Sequence, residues 1–236
     1  MRTLAPSRRS PAPRERNAEL SREAILKAAV REFAQEGVAG ARTDEIARAA
    51  GVNKALLYYY FKDKETLYGE VLDFTFTGLR ERVIPILDSD ANAGQKIVGY
   101  VSAYFDYLAQ SPFLPRLVQL EMMRAGRHPS PHLKRLVTRH FQPLFEKVVL
   151  TFQQGIKSGE FRPVDPVQFL PSIVGMCVHY FVSVPVVRIF LKADPLLPEH
   201  IAARKAAVLD VVASALFTDR EHGARIVQNL QTGVIQ

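Results

Sequence analysis

The most constraining feature of this chain is its punctuation. Short polar residues followed directly by proline stand between stretches whose apolar residues recur every three or four positions. Ser111-Pro112, Ser130-Pro131 and Asp165-Pro166 each pair an N-cap side chain with a proline at the first helical position, where the missing N–H costs nothing. Pro198 opens a further predicted helix, to about Phe217. After Ser130, the residues Leu133, Val137, Phe141, Leu144, Val148 and Phe152 keep helical spacing, with Pro143 predicted as a kink. Near 94–110, Ile97, Val101, Tyr104 and Leu108 fall in register. Strand-like alternation is scarce, so the predicted class is all-α.

The first quarter of the chain reads as shorter helices. Ser21 is taken as the cap of a helix to about Glu36, with Ile25, Ala28, Ala29 and Phe33 on one face and Gly37 as its stop. Thr43 is taken as the next cap, with Asp44 and Glu45 in the first turn, where the helix dipole favours acids. That helix ends at Gly51. Asn53 caps a third, through Tyr60, and Asp63 begins a longer fourth in which Leu67, Val71 and Phe74 share a face. The predicted organisation is a basic arm over 1–19, a three-helix head over 20–66, a larger helical body over 67–220 and a C-terminal tail over 221–236.

Charge sharpens this division. The chain of 236 residues has a formal net charge of +7. Residues 1–64 hold 13 Lys and Arg against 8 Asp and Glu, so most of the excess lies in the first quarter. Arg2, Arg8, Arg9, Arg14 and Arg16 share a leader with Pro6, Pro11 and Pro13, a proline density read as forbidding a stable helix. No run of signal-peptide length occurs there, and the single cysteine, Cys177, rules out a disulfide framework, so a cytoplasmic protein is expected. Phe169–Val187 is nearly uncharged and approaches the length of a membrane span. Its prolines, its serines and the lack of companion spans favour a helix buried in a core or subunit interface instead, and no membrane is expected.

Residues 43–61 place two short helices around a tight Ala-Gly-Val turn, a helix-turn-helix whose second helix is free to enter a major groove. Ile46, Ala47 and Ala50 pack the first helix, Gly51 permits a positive φ, Val52 plugs the turn, and small Ala55 lets the second helix approach closely. Over residues 21–72 the chain resembles the DNA-binding domain of the TetR family of transcriptional regulators. The likeness rests on Ile25–Gly37, Thr43–Val52 and Leu57-Tyr58-Tyr59-Tyr60-Phe61, followed by Lys62-Asp63-Lys64-Glu65-Thr66-Leu67. It implies an Ω-shaped dimer whose body holds a small-molecule pocket and pairs through its last two helices.

The resemblance also implies contact residues. Thr43 and Tyr58 match positions that meet phosphate, and Lys64 matches one at the start of the fourth helix. Lys54, Ala55, Leu56 and Tyr59 match the variable positions facing base edges or backbone. Asn53 stands where the family often has Ser or Thr, and caps equally well. Two readings of Leu56 stay open: apolar contact with a thymine methyl, or packing against the fourth helix. Successive residues sit about 100° apart on a helix, so Tyr58, Tyr59 and Tyr60 cannot share one job; Tyr60 and Phe61 are assigned to the head core, Tyr58 and Tyr59 to phosphate. The arm either reaches a minor groove or merely solubilises.

For the body, Tyr104, Tyr107, Phe113, Met122, Met123, Phe141, Phe145, Phe152 and His179 are candidate pocket residues, each also able to serve as plain core. His179 in an apolar helix needs a hydrogen-bond partner, and a tyrosine or backbone carbonyl of a facing helix is favoured over a ligand. A homodimer is expected through helices near 166–191 and 198–217, the second presenting Ile201, Val208, Val212 and Leu216. No catalytic residue, cofactor or metal is predicted: His128 and His132 are separated by Pro129 and Pro131, with no cysteine near. The function read from this is a ligand-responsive regulator, most simply a repressor, binding palindromic double-stranded DNA as a dimer and released by a small-molecule effector. The alternative is a sequence-tolerant DNA binder without an effector.

Overall fold

A computed structural model describes residues 13–126 and 130–233. It is all-α, and among the described residues the sole β feature is an isolated bridge between Phe161 and Phe217. The helices are α1 Pro13–Gly40, α2 Thr43–Ala49, α3 Lys54–Tyr60, α4 Lys64–Leu87, α5 Ala93–Gln110, α6 Leu114–Ala125, α7 Pro131–Leu136, α8 Gln142–Lys157, α9 Pro166–Val182, α10 Val184–Leu191, α11 Pro198–Leu216 and α12 Arg220–Thr232. A π-turn, Val137–Phe141, joins α7 to α8. The chain divides into two units, Met1–Val71 and Leu72–Gln236, called head and body below.

In the head, Ile25, Leu26, Ala29 and Phe33 of α1 are buried with Ile46, Leu57 and Phe61, and Tyr68 closes edge-on against Phe33 at 5.2 Å. Gly37 breaks α1 at φ 67, and Gly51 takes φ 68 in the turn between α2 and α3, conformations that cost a side-chain-bearing residue steric strain. Two expectations fail here. The first helix begins at Pro13 rather than Ser21, because a proline is tolerated in the first helical turn and only the earlier prolines could forbid helix. Ser21 is no cap: its hydroxyl donates back to the Asn17 carbonyl at 2.9 Å. Residues 1–12 of the expected arm lie outside the described residues.

In the body, α5 is buried almost all round and packs on α8, α9, α11 and α12. Asn92 and Gln95 form a reciprocal capping box at its start. Ser130 and Asp165 cap α7 and α9 as expected, accepting from Leu133 N and Val167 N. α6 starts at Leu114, after Ser111 rather than on it: the Leu114 N–H is taken by the Ser111 carbonyl in a turn. Pro143 falls within a continuous helical run from Pro131 to Lys157, which is interrupted by the π-turn directly before it. It stands in the first turn of α8, just past the π-turn, and its absent N–H leaves the Arg139 carbonyl to accept from Arg80 Nη1 at 3.0 Å.

The expected tail is instead a packed helix. Asp219 accepts from the Glu221 and His222 N–H groups, and α12 buries Gly223, Ile226 and Val227 against α11 and α5. The apolar run after Asp165 is split at Ser183 into α9 and α10, bent by 67°. No single helix among the described residues is long and apolar enough to cross a membrane; that bent pair passes on length and composition alone.

Candidate DNA-contacting surface and effector cavity

The sequence dictates the geometry of the helix-turn-helix locally. Asn53 Oδ1 accepts the Leu56 N–H at 2.7 Å and so starts α3, while Val52 N–H closes onto the Ala47 carbonyl at 3.0 Å and folds the turn back on α2. On α3, Leu57 is buried, Leu56 is half-buried, and Ala55, Tyr58 and Tyr59 are exposed. Tyr59 is 81% exposed, its ring edge-on to Tyr60.

Thr43 is not the cap of α2. Arg42 holds that position without a side-chain bond, and the Thr43 hydroxyl lies 3.1 Å from that of Tyr58. The two groups matched to phosphate contacts are thereby brought together, one from each helix of the motif. Lys54 bridges the same helices through Asp44, 2.9 Å away, and this carboxylate raises the lysine pKa above its ordinary value. Arg48 pairs with Glu45, one turn back on α2. Lys64 stands at the start of α4, as expected. Its ammonium donates to the Ala39 and Ala41 carbonyls at 3.0 and 3.1 Å, anchoring the chain that leaves α1.

Within the body lies a cavity of about 830 Å³, in the range that takes a drug-sized molecule. It is lined from α4 by Phe76 and Leu79, from α5 by Tyr100, Tyr104 and Leu108, and from α6 by Leu114, Val118, Gln119, Met122 and Met123. Phe141, Leu144 and Phe145 close it on one side, and Leu170, Val174, Val178 and His179 of α9 on another. Phe76 and Phe141 meet edge-on at 4.9 Å, which anchors one wall.

Of the candidate pocket residues, Tyr104, Met122, Met123, Phe141, Phe145 and His179 line this cavity. Tyr107 does not: its hydroxyl donates to the Thr75 carbonyl at 2.5 Å, with the Arg82 guanidinium over its ring. Phe113 sits at the start of α6, and Phe152 is core, between Phe161 and Phe169. His179 is exposed rather than buried, so it does not require the facing-helix partner expected for it. Tyr100 was not among the candidates. Its spacing, four residues before Tyr104 on α5, puts the two side by side.

Beside the cavity, the buried Asp73 of α4 accepts from His140 Nε2 at 2.9 Å and pairs with Arg135 and Arg139 at 2.8 and 3.1 Å. Burial pushes the His140 imidazole below its ordinary pKa, an effect opposed by the Asp73 carboxylate. Cys177 is a buried free thiol whose pKa burial pushes up to about 12, which makes it inert. His128 lies outside the described residues, and among those described no three His, Cys, Asp or Glu side chains are grouped to hold a metal.

The expected dimer stripe on α11 is turned inward: Val208, Val212 and Leu216 are buried within the subunit and Ile201 is half-buried. What α11 exposes is Ala203, Ala207 and Val211. On α10, Ile189, Phe190 and Leu191 are 76%, 80% and 57% exposed, a contiguous apolar surface.

Comparison with known proteins agrees with this division. Residues 25–71 match the family described as bacterial regulatory proteins, tetR family, and residues 95–212 match a tetracyclin repressor-like C-terminal domain. The chain is 32% identical over 170 residues to the HTH-type transcriptional repressor SCO4008 of Streptomyces coelicolor, covering 72% of this chain and 82% of that one. It is 31% identical over 174 residues to the HTH-type transcriptional regulator RutR of Escherichia coli K12, covering 71% and 76%. Among solved structures, the ketosteroid transcriptional regulator KstR2 of Mycobacterium tuberculosis aligns with a TM-score of 0.67 at 25% identity, over 84% of this chain and 95% of that one.

Proposed function

Since the chain belongs to the TetR family of bacterial regulatory proteins, we propose that it is a one-component repressor: a dimer that holds palindromic operator DNA and lets go when a small molecule fills the body cavity. The observation that carries this reading is the drug-sized cavity among α4, α5, α6, α8 and α9, in the same chain as an exposed reading helix. A sequence-tolerant DNA binder has no use for such a cavity. The repressor named among the relatives supports the sign of regulation.

DNA contact is assigned to Thr43, Asn53, Lys54, Ala55, Leu56, Tyr58 and Tyr59. The hydroxyls of Thr43 and Tyr58 address one phosphate neighbourhood, and Tyr59 and Ala55 face the groove. Leu56 serves packing and base contact together, being half-buried. Lys64 is reassigned to positioning, since both of its carbonyl partners belong to the head. The helix α4 begins in the head and ends in the body, with Phe76 and Leu79 on the cavity wall. Effector binding therefore selects among conformers of the body through a helix that the head also uses, and release requires that the two conformers bind the effector differently. Dimerisation is assigned to the apolar surface of α10 and the small-residue face of α11. A protein that works on chromosomal DNA in this way belongs in the cytoplasm. The domain reading is a DNA-binding segment over 20–66 and a ligand and dimer segment from 67 that takes in α12.

The test is footprinting on the DNA flanking the protein's own gene. A protected palindrome, bound at moderate salt at least about a thousandfold more tightly than random DNA, is the expected result. Equal affinity for all sequences overturns the reading.

A further inference from the structure

Tyr100 and Tyr104 lie four residues apart on α5, with parallel rings 6.1 Å between centroids. Both line the cavity, and the residues are only 3% and 8% exposed. Among the described residues neither hydroxyl has a hydrogen-bond partner, in contrast to Tyr107, one turn further on, whose hydroxyl reaches a backbone carbonyl at 2.5 Å. Neither oxygen is both sealed from solvent and unpartnered, so each hydroxyl opens onto the cavity, where phenylalanine would line the same space with no donor to offer. Burial also holds both groups far above their ordinary pKa, so each presents an O–H at any pH the cell meets.

The rest of the wall narrows the ligand further. Among the described residues no Lys, Arg, Asp or Glu lines the cavity; the remaining polar side chains are Gln119 and His179, both exposed. An anionic or cationic ligand would surrender its hydration to a wall that offers no counter-charge, a large desolvation penalty. Apolar surface, by contrast, is met on every side by Leu, Val, Met and Phe.

We infer that the effector is an uncharged, predominantly apolar molecule that carries an oxygen acceptor, such as a ketone, ester or lactone carbonyl, toward the Tyr100 and Tyr104 hydroxyls. This rests on the cavity being the effector site. The two tyrosines act as specificity determinants: a site built to donate hydrogen bonds rejects the analogue that lacks the acceptor, because its donors stay unpaired.

Three probes of one skeleton separate the possibilities: benzophenone (neutral, with a carbonyl), diphenylmethane (neutral, without one) and 4-benzylbenzoate (an anion). Calorimetric titration of the full chain should show benzophenone binding about 5-fold or more tighter than diphenylmethane, a hydrogen bond's worth, with 4-benzylbenzoate weakest. In the Tyr100→Phe/Tyr104→Phe double variant the ketone's advantage should vanish while diphenylmethane affinity holds. The ligand-free variant should melt no lower than the wild type, since it loses an unpaired group. Equal ketone and hydrocarbon affinity in the wild type, tightest binding of the anion, no binding of any probe, a preference that survives the double variant, or a lowered melting temperature each overturn the inference. Operator release is read separately. Tyrosine-dependent ketone binding that leaves operator affinity unchanged upholds the tyrosines as the cavity's donors and counts against the cavity as the effector site; release by the anion alone upholds the repressor reading and overturns the inference.

Discussion

Lys64→Met separates two roles for one cation. The methionine keeps an apolar stem of similar length and deletes the charge. In the structure that charge makes two hydrogen bonds to main-chain carbonyls, Ala39 and Ala41, at 3.0 and 3.1 Å, just beyond the break at Gly37. Fully buried, each bond from a charged donor is worth about 1.5–3 kcal/mol. Lys64 is half-buried and water can take over both carbonyls, so the pair together is worth about 1 kcal/mol once solvent screening is allowed for. For a protein of this size that is a fall in melting temperature of about 2–4 °C. Operator affinity measured from 50 to 200 mM salt supplies the second readout. A positioning lysine lowers affinity modestly at every salt concentration and leaves the slope of log affinity against log salt unchanged. A phosphate-bound lysine reduces that slope by about 0.9. A reduced slope with an unaltered melting temperature would refute the assignment of Lys64 to the anchor.

Other consequences are as direct. Asp73→Asn removes the carboxylate shared by Arg135, Arg139 and His140; because both arginines keep access to water, the loss is about 1–2 kcal/mol rather than the 3–5 of a fully buried pair, read as a lowered urea midpoint. Acid should weaken the body through His140: its folded-state pKa lies below the ordinary 6.5, so the unfolded chain takes up the proton first and stability falls as pH drops below about 6.5. Melting temperatures between pH 7.5 and 5 should decline less steeply in His140→Gln; an identical decline would remove His140 from the account. Phe190→Asp, at the most exposed point of the α10 surface, should yield a monomer by sedimentation with helical content retained, and a variant that still sediments as a dimer would move the interface elsewhere.

Sequence punctuation was a good guide where a cap and the residues it serves are adjacent. Asn53, Ser130 and Asp165 stand where expected because their partners lie two or three residues on. It misled where the decisive partner is distant. Thr43 looks like a cap, yet its hydroxyl neighbour is Tyr58, fifteen residues away. The helix α12 looks like a polar tail because its buried apolar residues, Ile226 and Val227, make sense only against α5 and α11. The stripe Val208, Val212, Leu216 was correctly seen as one face, but periodicity cannot say whether a face meets its own subunit or another. The same blindness hid Tyr100: spacing places it beside Tyr104, and only the packed structure leaves its hydroxyl alone.

The Arg139 carbonyl has a meaning beyond local repair. A proline four residues on cannot bond to it, so its donor comes from α4, by way of Arg80. The link therefore belongs to no side chain of residue 139, and scanning that position by substitution would never reveal it. Replacing Pro143 adds an N–H beside a carbonyl that already has a donor in Arg80, so substitutions at 80 and 143 are expected to be non-additive, which a double-mutant cycle measures.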